Sequence, residues 1–444
     1  MQRRARLAGR ATAEGRAVAV RAGAVAEGDD SGLVASGTTN LVKSIVGAGV
    51  LALPAGVAAF ADAPAALVPA ALVVAGLGAA SMYSFQVLGR VCAAYGATDY
   101  RDAWSKSVGE SSAFIVNWFV TLTPLLACVS YSMIIGDAFA ALIATAKPSP
   151  QVLAALGLLG GTRKACISLV SALALFPLCS LKSLKALAPT SALGTAGVVY
   201  TTIFMIIRAL DGSYAPGGKF AMALAAAGGV APKFGAGIMA RPARLGVFVA
   251  MLGTAFMAHF NAPSFYTEAI KLSTFSKLVT RGFGFSVLLN VLIMVAGFGT
   301  FGAACNGLVL NNYATTDTLA GLARALFGVS IVFTFPLAFA GSKAGMREVL
   351  GKVLPKKSEA LETAVVALPL ALITAVALVL DDVGAVVSLT GALMGSAIIY
   401  ILPAIMLLKG EKLDRSPLEK RAVPYAMMLL GAVSATLGVY TTLA

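Results

Sequence analysis

The sequence predicts an all-α membrane protein with eleven transmembrane helices, and three observations carry that expectation. Hydrophobic residues make up 58% of the 444-residue chain and charged residues only 12%, against about 25% charged in a soluble domain. The charges gather in short clusters between apolar runs of roughly 20 residues, the length a helix needs to cross a hydrocarbon core of about 30 Å. Two of those runs are also interrupted by residues that break helices. A soluble core of this size needs a polar exterior that the chain cannot supply. The net charge of +14 fits a nucleic-acid binder in principle. However, the basic residues sit at the ends of apolar segments, where headgroups and topology account for them. No nucleic-acid partner is expected, and membrane lipid is.

Residues 1–35 come first and are not membrane material. They carry six arginines in the first 21 positions, many alanines, and no apolar run long enough for a signal peptide. A disordered basic cytosolic tail is expected, with an organellar transit peptide as the alternative. The remainder, 36–444, divides into apolar segments at about 38–60, 64–93, 112–144, 164–181, 187–209, 244–268, 276–302, 318–344, 361–382, 385–409 and 422–443. With the N-terminus in the cytosol, the inner loops and tail hold 24 basic residues and the outer loops eight, while Lys43 and Arg324 lie within segments. That bias places the N-terminus inside and the C-terminus outside, so the number of spans is odd.

Segments one and six look broken. The first reads IVGAGVLALP at 45–54, with two glycines and a proline inside a span. The sixth reads GTAFMAHFNAP at 253–263, mixing Gly, His, Asn and Pro at membrane depth. Backbone that leaves a helix in hydrocarbon needs partners from protein or from a water-filled cavity. The two lie five segments apart, where a pair of inverted five-helix repeats (about 38–209 and 244–409, with 422–443 left over) places equivalent elements. Paired interruptions of this kind point to a transporter site. The alternative is that Gly and Pro are commoner in membrane helices generally.

Other chemistries find no support. The five cysteines, Cys92, Cys128, Cys166, Cys179 and Cys305, lie singly with no metal-ligand spacing, so neither metal nor cofactor is expected. No Ser/His/Asp set or HExxH pattern marks an enzyme.

Motifs then narrow the class. Residues 40–54 read NLVKSIVGAGVLALP, 131–137 YSMIIGD, 176–191 FPLCSLKSLKALAPTS, 259–268 HFNAPSFYTE, 297–302 GFGTFG, 333–337 FTFPL, and 383–396 VGAVVSLTGALMGS. In that order the chain resembles the amino acid/auxin permease family of the amino acid–polyamine–organocation superfamily, from about residue 38 to 409. The resemblance implies a leucine-transporter-like fold of ten helices in two inverted repeats plus one. It also implies amino acid transport by alternating access, coupled to protons or, in some branches, to sodium.

A zwitterionic substrate loses water at both charged ends on entering a membrane. Gly47, Ala48 and Gly49 can offer free N–H groups and a half-helix dipole to its carboxylate, and carbonyls released around Phe256 to His259 can receive its ammonium. Tight helix crossing is the other use of Gly47 and Gly49. Tyr131 is expected to close the pocket over the carboxylate, or simply to pack. His259, the one histidine, is expected to line the pocket or hold the backbone, with proton carriage as its alternative. Lys43 costs roughly 2.5–3.5 kcal/mol within a span. The resemblance places it beside the second sodium position, where its ammonium replaces sodium and its proton serves as coupling ion; snorkelling to headgroups is the alternative. Some proton-coupled branches carry histidine three residues earlier, where this chain has Asn40. Ser330 and Thr334 face the first break in the implied fold and, with Asn40 and Lys43, are the expected ion-coupling residues, their hydroxyls contacting the ion or the lysine. Asp137 and Glu268 read as helix-end anchors. The leading expectation is a proton-coupled symporter of small neutral amino acids in the vacuolar or plasma membrane. Its rivals are a sodium-coupled symporter and a non-transporting amino acid sensor that signals through its tail.

Overall fold

The computed structural model describes residues 31–181, 190–226, 229–355 and 358–444. The basic tail through residue 30 and the corner 182–189, with Lys182 and Lys185, lie outside the described residues. The described chain is helical, and its first helix begins at Ser31, inside the stretch assigned to the tail. In chain order the main helices are α1 (Ser31–Ile45), α2 (Leu53–Phe60), α3 (Leu67–Tyr95), α4 (Ala113–Thr145), α5 (Thr162–Val170), α6 (Thr190–Leu210), α7 (Leu245–Ala255), α8 (Ala262–Ala269), α9 (Leu272–Phe301), α10 (Thr318–Leu350), α11 (Glu359–Val379), α12 (Val383–Thr390), α13 (Leu402–Lys409) and α14 (Val423–Leu443). Between α12 and α13 the backbone widens into a π-helix over Gly391–Ile401.

Nine helices among the described residues are long and apolar enough to cross a membrane, and the bent pair formed by α1 and α2 adds a tenth. The fifth segment is helical as α6, but its described apolar stretch, Gly194–Leu210, falls short of that length. The count of eleven therefore rests on α6. Leu72, Trp118, Leu372 and Leu429 stay more than half exposed, as side chains that face lipid must.

Both interruptions occur where the sequence placed them. The last α-helical bond of α1 runs from Val46 N to Val42 O (2.7 Å), Gly47 N turns back to Ile45 O (3.0 Å), and a 3₁₀ turn over Ala48–Ala52 follows. The chain then restarts as α2 with Pro54 in its first turn, where a missing N–H costs nothing. The two halves are bent by 48°. In the sixth span α7 ends at Ala255, a 3₁₀ turn covers His259–Asn261, and α8 begins with Pro263 in its first turn.

Packing brings the breaks together. The α9 helix lies against α1 and α3, α4 lies along α10, and α7 is wedged among α12, the π-helical stretch and α14. Glycines permit the closest of these approaches: a Cβ on Gly391 would lie 1.8 Å from Ala250 O. Away from the breaks, polar links tie the connectors. Buried Arg324, the arginine inside segment eight, donates to the carbonyls of Leu310 and Tyr313 (2.8 and 2.5 Å). Buried Asp317 caps α10 and accepts from Arg208. Asp137, read from the sequence as a helix-end anchor, lies inside α4, which continues to Thr145, and there accepts from Arg163 (2.6 Å) and Asn311 (3.0 Å).

Candidate functional site

A small cavity of about 80 Å³ lies where the two breaks meet. The first span contributes Ser44, Ile45, Gly47 and Gly49, and the sixth contributes Thr254, Met257 and Phe260. One wall is α4, with Thr123, Pro124, Ala127, Ser130 and Tyr131; Ala338 and Val387 complete the lining.

The two glycines act differently. A Cβ on Gly47 would lie 3.5 Å from the Tyr131 hydroxyl, so Tyr131 reaches over the first-span break with only the thickness of a glycine beneath it. A Cβ on Gly49 would come within 3.1 Å of Ala255 N and 3.2 Å of Ala255 Cα. Gly49 thus lets the first break touch the end of α7, where backbone cannot yield.

Among the described residues, no charged side chain lines this space. Its polar side chains are hydroxyls, and two of the five are committed: Thr123 donates to Phe119 O (2.7 Å) and Thr254 to Val387 O (2.6 Å). Ser130 and Tyr131 form no side-chain hydrogen bond among the described residues. A ligand held here meets its charges with backbone groups and helix ends, and its remaining surface with methyl, aromatic and hydroxyl groups.

The sixth span is arranged otherwise than expected. The Phe256 ring is fully buried against Phe283 (6.4 Å between centroids). His259 is also fully buried, and its Nε2 lies 2.8 Å from Ser84 Oγ and 2.9 Å from Ser81 O, both on α3. Neither side chain lines the cavity. The carbonyls of Phe256 and Ala258 accept from Ala258 N (3.1 Å) and Asn261 N (2.9 Å), whereas that of Met257 accepts no backbone bond among those described. Thr254, Met257 and Phe260 are the sixth-span cavity residues that sequence reasoning missed, and the α4 wall with Thr123 and Ser130 was missed as well. Once the helix stops, the 3.6-residue period no longer says which side chain faces which way.

The expected coupling residues lie on the other side of the first span. A Cβ on Gly194 of α6 would lie 2.7 Å from Ser330 Oγ and 3.3 Å from Lys43 Cε. Lys43 and Ser330 therefore converge where α1, α6 and α10 meet. Thr334 donates to Ser330 O (2.8 Å) one turn further along α10. Asn40 is exposed on α1 and joins neither group. Lys43 and the cavity share no lining residue with each other: Ser44 and Gly47 face the cavity, Lys43 and Val46 a small crevice beside Gly194.

A bundle of membrane-spanning helices with two interrupted spans meeting at a cavity is the architecture of a transporter. Comparison with known proteins gives the family. Residues 31–444 match the family model described as transmembrane amino acid transporter protein, and the chain belongs to that family, the amino acid/auxin permeases. It is 27% identical over 388 residues to a Danio rerio protein provisionally named sodium-coupled neutral amino acid transporter 11, covering 85% of this chain and 79% of that one. It is 26% identical over 440 residues to sodium-coupled neutral amino acid transporter 7 of Rattus norvegicus, covering 91% of this chain and 86% of that one. Among solved structures, that of MhsT in complex with L-phenylalanine superposes with a TM-score of 0.56 at 13% identity, over 91% of this chain and 98% of that one. The likeness shows the fold, which is the leucine-transporter-like arrangement. The family is one of amino acid transporters rather than enzymes.

Proposed function

We propose that this protein carries small neutral amino acids across the membrane by alternating access, in symport with an ion, and that the cavity at the two breaks holds the substrate. The observation that carries this reading is the lining. Gly47 and Gly49 expose backbone, the Tyr131 hydroxyl stands over Gly47, and no charged side chain among the described residues lines the space to match a charged substrate side chain. The carboxylate is assigned to the first break, under Tyr131, and the ammonium to the carbonyl of Met257. Uptake of radiolabelled L-alanine into proteoliposomes, competed with L-leucine, L-lysine and L-glutamate, tests this. Alanine uptake with competition by leucine alone of the three is expected. Tyr131→Phe is expected to raise KM about ten- to a hundredfold, since a hydrogen bond to a charged group contributes about 1.5–3 kcal/mol. An unchanged KM would remove Tyr131 from the site.

Coupling to protons is supported by Lys43: a fixed ammonium at the junction of α1, α6 and α10, next to the Ser330 hydroxyl, occupies space that a bound cation needs. Sodium is the second reading, favoured by the names of the relatives, which are called sodium-coupled. Imposed gradients separate the two. Uptake driven by an inward proton gradient and indifferent to sodium fits the Lys43 reading; the reverse refutes it.

A further inference from the structure

A chain of buried polar groups runs behind the cavity without touching it. The Ser81, Ser84, His259 and Tyr400 side chains are all buried. His259 Nε2 meets Ser84 Oγ and Ser81 O at 2.8 and 2.9 Å, and Ser84 also donates to Ser81 O at 3.0 Å. The Ser81 hydroxyl in turn lies 3.3 Å from the Tyr400 hydroxyl. The imidazole is held edge-on by Phe85 and Phe283, with centroids at 5.3 and 6.1 Å. What this chain joins is specific. His259 belongs to the broken turn of the sixth span, Tyr400 to the π-helical stretch of the tenth, and both reach the same short piece of α3.

The helices that lead into those two stretches, α7 and α12, also meet at the cavity wall. Thr254 donates to Val387 O (2.6 Å), and both residues line the cavity. Their backbones touch through glycine, a Cβ on Gly253 falling 2.9 Å from Gly391 O and one on Gly395 3.0 Å from Gly253 C. With contacts this close, a slip of a few tenths of an ångström between the spans changes the wall. Polar groups in a membrane interior favour the one register in which they are paired, and π-wound segments concentrate at functional sites. We propose that Ser81, Ser84 and Tyr400 form with His259 a positioning link that sets the sixth-span break against the π-wound stretch of the tenth span, and thereby fixes the shape of the substrate cavity. The link acts through Thr254 and Val387, and none of its four side chains touches substrate. This inference rests on the cavity being the substrate site.

The test uses the full chain in proteoliposomes, with L-alanine uptake and melting temperature measured side by side. Tyr400→Phe and Ser81→Ala each remove one hydroxyl from the shared contact. Each is expected to raise KM about threefold, the effect of one interhelical hydrogen bond in a membrane, with the melting temperature unchanged. The double variant is expected to do no more than either single one, because both delete the same contact. His259→Gln, which keeps a polar group near Nε2, is expected to retain a KM that His259→Leu loses. Unchanged KM in Tyr400→Phe and Ser81→Ala, or effects that multiply in the double variant, overturns the link. Met257→Ala separates the two levels. If it shifts KM while the link variants do not, only this inference falls; if it too leaves KM unchanged, the cavity is not the site and both fall.

Discussion

At the scale of single residues, the site depends on atoms that are missing as much as on those present. Gly49 has backbone on its far side: a methyl there would press on Ala255 N at 3.1 Å, and no side-chain rotation relieves it. Gly49→Ala is expected to destabilise by about 1–3 kcal/mol, the range for overpacking, and to abolish uptake even where protein is recovered. Thermal unfolding and transport assays on the same sample check both. Gly47 faces the end of a tyrosine side chain at 3.5 Å, so Gly47→Ala is expected to keep its stability while losing substrate affinity. Lys43 is the other decisive residue. Its ammonium stands beside Gly194 and Ser330, and Lys43→Ala is expected to abolish the response to a proton gradient and to make uptake sodium-responsive. A variant still driven by protons alone would show that this lysine only snorkels.

At the scale of elements, the third helix, α3, is fastened twice. Ser81 and Ser84 hold His259, while the neighbouring Tyr83 and, nearer the helix end, Arg90 both donate to Glu419 (2.7 and 2.5 Å) in the short helix Pro417–Arg421 that precedes α14. Glu419 also accepts from Ser416 N (2.9 Å) in a capping box. Burial pushes the Glu419 carboxyl up, but the donors from Arg90, Tyr83 and Ser416 outweigh it and hold the group at about 2. A carboxyl depressed in the folded state stabilises fully above its unfolded value of about 4.3 and loses that contribution as pH falls through the folded value. Glu419→Gln is therefore expected to lower stability by about 1–2 kcal/mol at pH 7, with the difference from the natural chain shrinking between pH 4.3 and 2. Melting curves across that range read it directly. A deficit that stayed constant down to pH 2 would show that the carboxylate's charge is not what holds the connector.

At the scale of the whole molecule, the two interrupted spans define an axis. The α1 helix and Lys43 lie to one side of the breaks, while α2, the start of α7, and Arg241, which donates to Ala58 O, lie to the other. A second, larger cavity of about 350 Å³ opens among these latter elements, lined by Arg241, Arg244, Asn306 and Asp382. With the N-terminus in the cytosol, as the basic bias favours, this cavity faces outward. Single cysteines at Arg244 and at Ser31 are then expected to react with an impermeant thiol reagent from opposite sides of right-side-out vesicles, Arg244 from outside. The reverse pattern would invert the topology.

Membrane insertion, helical class, the placing of both breaks and the family were determined by the sequence alone. Each depends on local chemistry: hydrophobic length sets a span, Gly and Pro interrupt it, and ordered motifs identify relatives. Gly47, Gly49 and Tyr131 were legible for the same reason, since glycine marks close approach and the YSMIIGD motif marks its helix. Only the tertiary structure decided which side chains of the sixth span face the cavity. There Thr254, Met257 and Phe260 line it, while Phe256 and His259 turn onto Phe283 and α3. It also brought Ser330 and Lys43 to one glycine on α6, and Ser81 to Tyr400 across 319 residues of chain. A stretch without regular hydrogen bonding has no period to read, and contacts between distant spans are set by packing that no local pattern encodes.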